Sequence, residues 1–455
     1  MATDKVMATD PQSLIDIIFE QISQPPEFSP QRTIYRVPDD LRKLKESAYT
    51  PHFVSIGPLH SRDPLLDNSR VNKTKVNCVR PLIYRAAKSE KQAREIVQKC
   101  LTAMGESVAE AQNYYPEEEP ATLNEVMLFL DGSFILELFY RHYDIVVLQK
   151  KKVDQIPELG IDSAVTYRTV QRDLLLLENQ LPFSVLDTLF HLLTESQTDT
   201  QKGPSLIEYV LLFFHDLLRL QSIPAKVDGD TFHILHLLHK HYLPADLPVA
   251  MTSGQFMQSA TDLDHAGVKF ESHNAKSQLQ LHNAGISPFQ VEFQDPCGVK
   301  RWWFSRACFK IPTLHIDDST ELFLRNLIAF EQCCPLIKRY VTSYAFVMDR
   351  LINTAMDVDV LQKAGIVCNY LGSHKDASDL FNKLCSEVAI GDFYFSDACE
   401  NAAKYSRWCW PQAVAHLRRN NFATPWAYIA FCVALVVFFS SLTTVIRNLR
   451  YIFHL

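Results

Sequence analysis

Glycine is scarce in this sequence, with 13 among 455 residues. Nucleotide-binding α/β enzymes need glycine at phosphate turns and strand ends, so the shortage argues against that class and leans toward helix. The common catalytic signatures are missing as well. No G-x-S-x-G elbow, G-x-x-x-x-G-K-S/T loop, G-x-G-x-x-G fingerprint or H-E-x-x-H pair occurs, which removes the usual hydrolase, nucleotide-binding and zinc-protease readings. No two cysteines stand in a C-x-x-C pair, so a zinc ribbon or a thioredoxin-type site lacks its residues. The 11 cysteines are odd in number and irregularly spaced, and they read as buried reduced thiols in keeping with a cytosolic setting. Excess positive charge is absent too. A net charge of −7 is the wrong sign for a general nucleic-acid binder, which needs a basic face to displace counterions. The N-terminal MATDKVMATDPQSLIDIIFEQISQPP has no apolar h-region, so nothing in it reads as a secretory signal.

What the sequence does have is a stretch from Asn420 to Ile446 without one charged side chain. Its core, Trp426–Ile446, spans roughly 31 Å as a helix, about the hydrocarbon thickness of a bilayer. Arg418 and Arg419 precede it, Arg447 and Arg450 follow it, and Trp426, Tyr428 and Tyr451 stand where amphipathic rings favour the headgroup level. The competing explanation is a long buried helix of a soluble core. With no signal at the front and nine residues after the span, the expectation is a tail anchor. The N-terminal body then lies in the cytosol, at the plasma membrane or an endomembrane. The arginines nearly balance across the span and do not fix this orientation. Glycans on Asn72, in the sequon Asn72-Lys73-Thr74, would reverse it.

The apolar fraction of 47% is ample for a large packed core. Residues 1–30 read as one amphipathic helix (Leu14, Ile15, Ile17, Ile18, Ile22) and a Pro-rich linker. Residues 31–417 form one large, mainly helical domain, 425–447 the transmembrane helix and 448–455 a short tail. Within the domain, Ile34–Pro64 is dense in proline and aromatics and is expected to run extended across the core. Helical pattern dominates from about Asn68 to Leu243, where Pro81 is expected to split the first helix. Loops are expected at Glu117–Pro120, Asp154–Asp162 and Thr194–Pro204. Between about 267 and 316 the period shortens to two. Val268/Phe270, Leu279/Leu281, Val291/Phe293 and Trp303 with Phe309/Ile311 suggest short strands joined by turns at Asn283-Ala284-Gly285 and Asp295–Gly298. Asp317–Val388 is again helical, and a last helix covers about Phe395–Asn420. The fold class is therefore mainly α, with a small β insertion and one C-terminal transmembrane helix.

Few side chains suggest chemistry. His233, His236 and His239 in FHILHLLHKHY recur every three residues and offer imidazoles to a metal. No carboxylate completes the set within that helix, so partly exposed histidines on an amphipathic helix are the simpler reading. In Asp173–Phe183, DLLLLENQLPF, the polar Glu178, Asn179 and Gln180 interrupt a strongly apolar run. An unpaired carboxylate there is costly to bury. The structural reading is that these three satisfy backbone or arginine groups at a kink set by Pro182, and the alternative is a catalytic Glu178. Asp317, Asp318 and Glu321 imitate a Mg²⁺ site, but with Ser319 and Thr320 they read as cap and first-turn acids. Trp302-Trp303 and Trp408-Cys409-Trp410 read as packing by default.

Several ordered motifs carry a resemblance. These are Ile34–Pro38 (IYRVP), Ala48–Pro51 (AYTP), Val54–His60 (VSIGPLH), Leu130–Leu138 (LDGSFILEL), LLENQLPF, Ser259–Thr261, Ala266–Phe270, Asn326–Cys333 (NLIAFEQC), Val341–Tyr344 and Pro425-Trp426. Through them the chain resembles the plant family called domain of unknown function 247 along nearly its whole length. It departs where Leu59 replaces an aromatic, where Ser61 and Arg62 replace a second His with Gly, and where Ser133 replaces a frequent Cys. The resemblance implies a single-pass plant membrane protein with no established activity, some grass members being similar to pollen determinants of self-incompatibility. The expected function is protein recognition or signalling through an unidentified protein partner. The alternative is a membrane-tethered enzyme using Glu178 or His233, His236 and His239. No catalytic, cofactor-binding or metal-binding residue is assigned, and no nucleic-acid partner is expected.

Overall fold

The computed structural model describes residues 32–407 and 425–453, apart from residues 65, 67, 118–121, 150–160, 162, 196–202, 221–229, 245, 252–256, 273–286 and 296–305. The expected helix before residue 30, Leu279, Leu281, Trp302, Trp303, the Asn283 turn and Trp408–Trp410 lie outside the described residues.

Thr33 to Leu59 crosses the body largely without regular structure, as its prolines and aromatics suggest. Two short elements interrupt it, helix α1 (Asp39–Leu44) and a 3-10 turn (Glu46–Ala48). Then follow α2 (Asn68–Ala86), α3 (Glu90–Gln112), α4 (Glu125–Val146), α5 (Ala164–Asp173), α6 (Phe183–Thr194), α7 (Leu206–Leu218) and α8 (Ile234–Tyr242). Small polar residues start many of them. Ser89, Asn124, Ser163 and Ser205 each accept the amide three residues on, and Ser205 with Glu208 closes a reciprocal capping box.

Helix α4 is the centre of this half, with α2, α3, α6 and α7 packed around it. From Leu128 to Phe139 nearly all its residues are buried, including Asp131 and Glu137. Gly132 is required by that packing, because a Cβ there would stand 2.3 Å from Leu189 Cδ1 of α6. The two buried acids are paired. Asp131 meets Lys75 and accepts the Gly57 amide at 2.8 Å, while Glu137 accepts from Arg85 at 3.0 Å and Arg141 at 2.6 Å. Pro81 does not split α2, contrary to expectation: the helix runs through it, held against α4 along its length. Tertiary packing outweighs the one backbone bond that proline removes.

The second half contains α9 (Ala260–His265), β1 (Lys269–Glu271), β2 (Glu292–Gln294), β3 (Cys308–Lys310) and β4 (Leu314–Ile316). It continues with α10 (Thr320–Cys333), α11 (Tyr340–Leu351), α12 (Ala355–Lys363), β5 (Val367–Asn369), α13 (His374–Leu384) and α14 (Ser396–Ser406). The β insertion is there, with β3 between a parallel β1 and an antiparallel β2, so that Phe309 faces both Phe270 and Phe293. β4 behaves differently from expectation. It pairs in parallel with β5, which interrupts the region expected to be wholly helical. Such a pairing needs β4 as a partner and cannot be read from any local period.

The fold is thus mainly α. One buried apolar cluster runs through both halves, from Ile34 to Tyr405.

Candidate functional site

The LLENQLPF segment begins where α5 ends at Asp173. Leu174–Leu177 are all within 1% of full burial, and Pro182 opens α6 with φ −53° and ψ 135°. Between them the backbone is a compact turn that cannot satisfy itself, so the polar side chains do it. Asn179 accepts the Ile56 amide at 2.6 Å and donates to the Val54 and Asp173 carbonyls at 3.0 and 2.9 Å. Gln180 donates to the carbonyls of Leu174 and Leu176, each at 2.8 Å, and accepts the Leu235 amide at the start of α8 at 3.1 Å. Asp173 takes three successive amides, from His52, Phe53 and Val54, at 2.9, 2.7 and 2.9 Å. Burial nevertheless pushes its carboxyl up to about 6. From α10, Asn326 accepts the Leu177 amide at 2.9 Å and donates to the Ala48 carbonyl at 2.7 Å. The expectation that Glu178, Asn179 and Gln180 satisfy backbone or arginine groups is met.

Glu178 is the anchor of this arrangement. Its carboxylate has no exposed surface and accepts the Val37 amide at 2.6 Å and the Arg42 guanidinium. His60 Nε2 stands 3.0 Å from its second oxygen and Arg36 Nη1 3.5 Å from it, and His60 Nδ1 lies 3.4 Å from Asp63. Burial alone would raise this carboxyl. The close His60 ring, the Arg42 charge and the Val37 amide outweigh it and hold it below the usual carboxylate range. A saturated carboxylate that favours its ionised form is a poor general base at neutral pH. Cys333, which feels the Glu178 charge, is no better a nucleophile, since burial, Cys334 and Glu178 push its thiol up to about 12.

The histidines differ from expectation. His233, His236 and His239 are 0%, 6% and 1% exposed, so they are core residues, not partly exposed ones. The leucines between them are buried too, and the whole helix is sunk around Phe330, with ring centroids 4.9, 5.6 and 5.8 Å from it. His233 caps α8 by accepting the His236 amide, and His236 accepts the Phe232 amide. The carboxylate missing from the sequence comes from α10. Glu331 meets His239 Nε2 at 2.7 Å and accepts the Val341 and Thr342 amides at 2.8 and 2.7 Å, closing α11 onto α8. Burial pulls His233 down to about 3 and His236 to about 2, so both stay neutral. Among the described residues, no three His, Cys, Asp or Glu side chains are placed to hold an ion.

Asp317 accepts the Ser319 amide at 2.9 Å, while Glu321 is paired with Lys45 and with Arg325 at 2.9 Å. Ser319, at the cap position of α10, makes no cap bond itself. Sequence reasoning did not identify Arg36 and Arg42 as the partners of Glu178, because Arg42 lies 136 residues away and no spacing announces it.

The uncharged C-terminal stretch forms helix α15 (Pro425–Phe453). Residues Ile429–Arg447 have a mean hydropathy of 2.5, and this is the one described helix long and apolar enough to cross a membrane. Its side chains do not enter the core, with Trp426 78%, Val436 69% and Phe438 60% exposed, so the buried-helix explanation fails.

Comparison with known proteins agrees with the resemblance. A family model described as a plant protein of unknown function, DUF247, matches residues 34–440. The chain is similar to UPF0481 protein At3g47200 of Arabidopsis thaliana, with 24% identity over 92% of this chain and 87% of that protein. It is also similar to putative UPF0481 protein At3g02645 of Arabidopsis thaliana, with 22% identity over 89% of this chain and 88% of that one. No solved structure matches it significantly. Because the family model spans both helical halves, the Glu178 anchor and most of the apolar C-terminal helix, the chain belongs to the DUF247 family of plant proteins of unknown function.

Proposed function

We propose that this chain is a membrane-anchored recognition protein, a body of residues 31–417 held at a bilayer by α15 and acting through its surface on another protein. The observation that carries this reading is the use to which the buried acids are put. Asp131, Glu137, Asp173, Glu178 and Glu331 are each taken up by backbone amides or basic side chains that fix one element against another. A catalytic carboxylate needs an oxygen free for substrate and a pKa near the working pH. Glu178 meets neither condition, which counts against the enzyme reading. The reduced, buried Cys78, Cys100 and Cys399 support a cytosolic body. Pollen self-incompatibility is one case of such recognition, and it predicts allelic differences concentrated on one exposed face.

Quantitative proximity labelling from the full chain in plant membranes tests the proposal. Recognition predicts a reproducible neighbour whose labelling changes when exposed residues of one face are exchanged. A turnover measured on the purified full chain and lost in Glu178→Gln, with the fold intact, would instead establish an enzyme.

A further inference from the structure

A small cavity of about 140 Å³ lies where the ends of α7 and α8 meet β4 and the first turns of α10. Its floor is apolar and rich in rings: Leu217, Tyr242, Phe289, Leu314, Phe323 and Leu324. Tyr242 stacks on Phe289 with centroids 4.6 Å apart, and Phe323 stands 5.4 Å from Tyr242. The volume is close to that of an apolar protein cavity of about 150 Å³ that accepts one benzene.

The rim carries Arg219, His241, His315, Asp317 and hydroxyls that include Thr313 and Thr320. Arg219 is held there at a cost. It ends α7 in the left-handed conformation, φ 50° and ψ 47°, where glycine or asparagine would sit more easily. Its guanidinium lies 4.4 Å over the Tyr370 ring, and Nη1 donates to Tyr370 Oη at 3.1 Å and lies 3.0 Å from His315 Nδ1. Both partners are neutral side chains, and Arg219 makes no ion pair with an acid among the described residues. Since His315 accepts at Nδ1, its proton sits on Nε2 as a further donor. A strained, preorganised cation at the mouth of a ring-sized apolar cavity is the arrangement that recognises a flat acid.

We propose that this cavity binds a small aromatic monocarboxylate, its ring on the Tyr242–Phe289–Phe323 floor and its carboxylate on Arg219. One charge is the limit, because Asp317 on the same rim repels a second.

The test is calorimetric titration of the full chain in lipid nanodiscs with benzoate, benzyl alcohol and acetate. Benzoate should bind, and benzyl alcohol and acetate should bind at least about tenfold more weakly, the usual cost of losing a charged hydrogen bond or the buried ring. Arg219→Gly suits the left-handed backbone and should fold, its thermal melt no lower than wild type, yet lose about tenfold in benzoate affinity and nothing for benzyl alcohol. Failure of benzoate to bind the wild-type chain, or equal binding to Arg219→Gly, would overturn the proposal.

Discussion

Replacing Glu178 by glutamine separates a structural carboxylate from a catalytic one. Glutamine keeps the volume and one acceptor for the Val37 amide, but it removes the charge that balances Arg42. It also turns an amide donor toward Arg36, which donates to the carboxylate in the wild type, and toward the His60 ring 3.0 Å away. Breaking a buried pair by removing one partner costs about 3–5 kcal/mol. The lower end applies, because the Arg42 and Arg36 side chains are 22% and 44% exposed and recover part of their hydration. With an unfolding entropy near 2.1 cal/mol/K per residue, ~3 kcal/mol lowers the melting temperature of a body this long by about 4 °C. Locally the effect is larger. Amide exchange at Val37 and its neighbours should quicken by about 100-fold, since the Arg42 pair that helps hold this stretch down is the one weakened. The carboxyl of Glu178 is depressed in the folded chain, so its contribution is complete above the unfolded value near 4.5 and fades as pH falls below it. The difference between variant and wild type should therefore shrink in acid. Differential scanning calorimetry and hydrogen exchange at pH 7 measure both effects. A Glu178→Gln chain as stable as wild type, or more stable, would refute the reasoning, because gained stability marks a group kept for function.

Acidification should destabilise the body through the core histidines. His233 and His236 have folded values near 3 and 2 against about 6.5 unfolded, so the unfolded chain gains their protons as pH falls through 6.5. Between pH 7 and 5.5 they cost together on the order of 3 kcal/mol, while Asp173, raised to about 6, returns on the order of 1 kcal/mol. Urea denaturation should show a net loss on the order of 2 kcal/mol, and His233→Asn, which keeps the cap acceptor, should remove about half of the histidine share. Gly132→Ala drives a methyl into Leu189 and should cost about 1–3 kcal/mol by the same assay; an unchanged midpoint would mean that α4 and α6 pack less closely than described.

How far the sequence could be read depended on how local the determining force was. Asn179 and Gln180 could be assigned a structural job at once, because polar groups inside an apolar run must find partners, and half of theirs are backbone groups within six residues. Arg42 and His60 could not be paired with Glu178, since only the folded path of Thr33–Leu59 brings them there. The histidine helix was misjudged because its three-residue spacing suggested an amphipathic face. Ile234, Leu235, Leu237 and Leu238 surround the helix with apolar surface and carry the imidazoles inside. Pro81 and β5 fail the local rules for the same reason, with α4 supporting the first and β4 templating the second. The cavity under Arg219 left no trace in the sequence, because α7, α8, β4 and α10 supply its walls from separate stretches.

The proposed function rests most heavily on α15, the one described helix long and apolar enough to cross a membrane, tying the body to a bilayer. Alkaline carbonate extraction of plant membranes bearing the full chain, alone and with Leu435→Arg plus Phe438→Arg, tests that directly. Each arginine changes a helix-centre contribution from about −0.5 to about +3 kcal/mol, so the pair should abolish insertion. The wild-type chain should stay in the membrane pellet and the double variant should be released. A wild-type chain that carbonate strips from the membrane, or a variant that remains in it, would contradict the account.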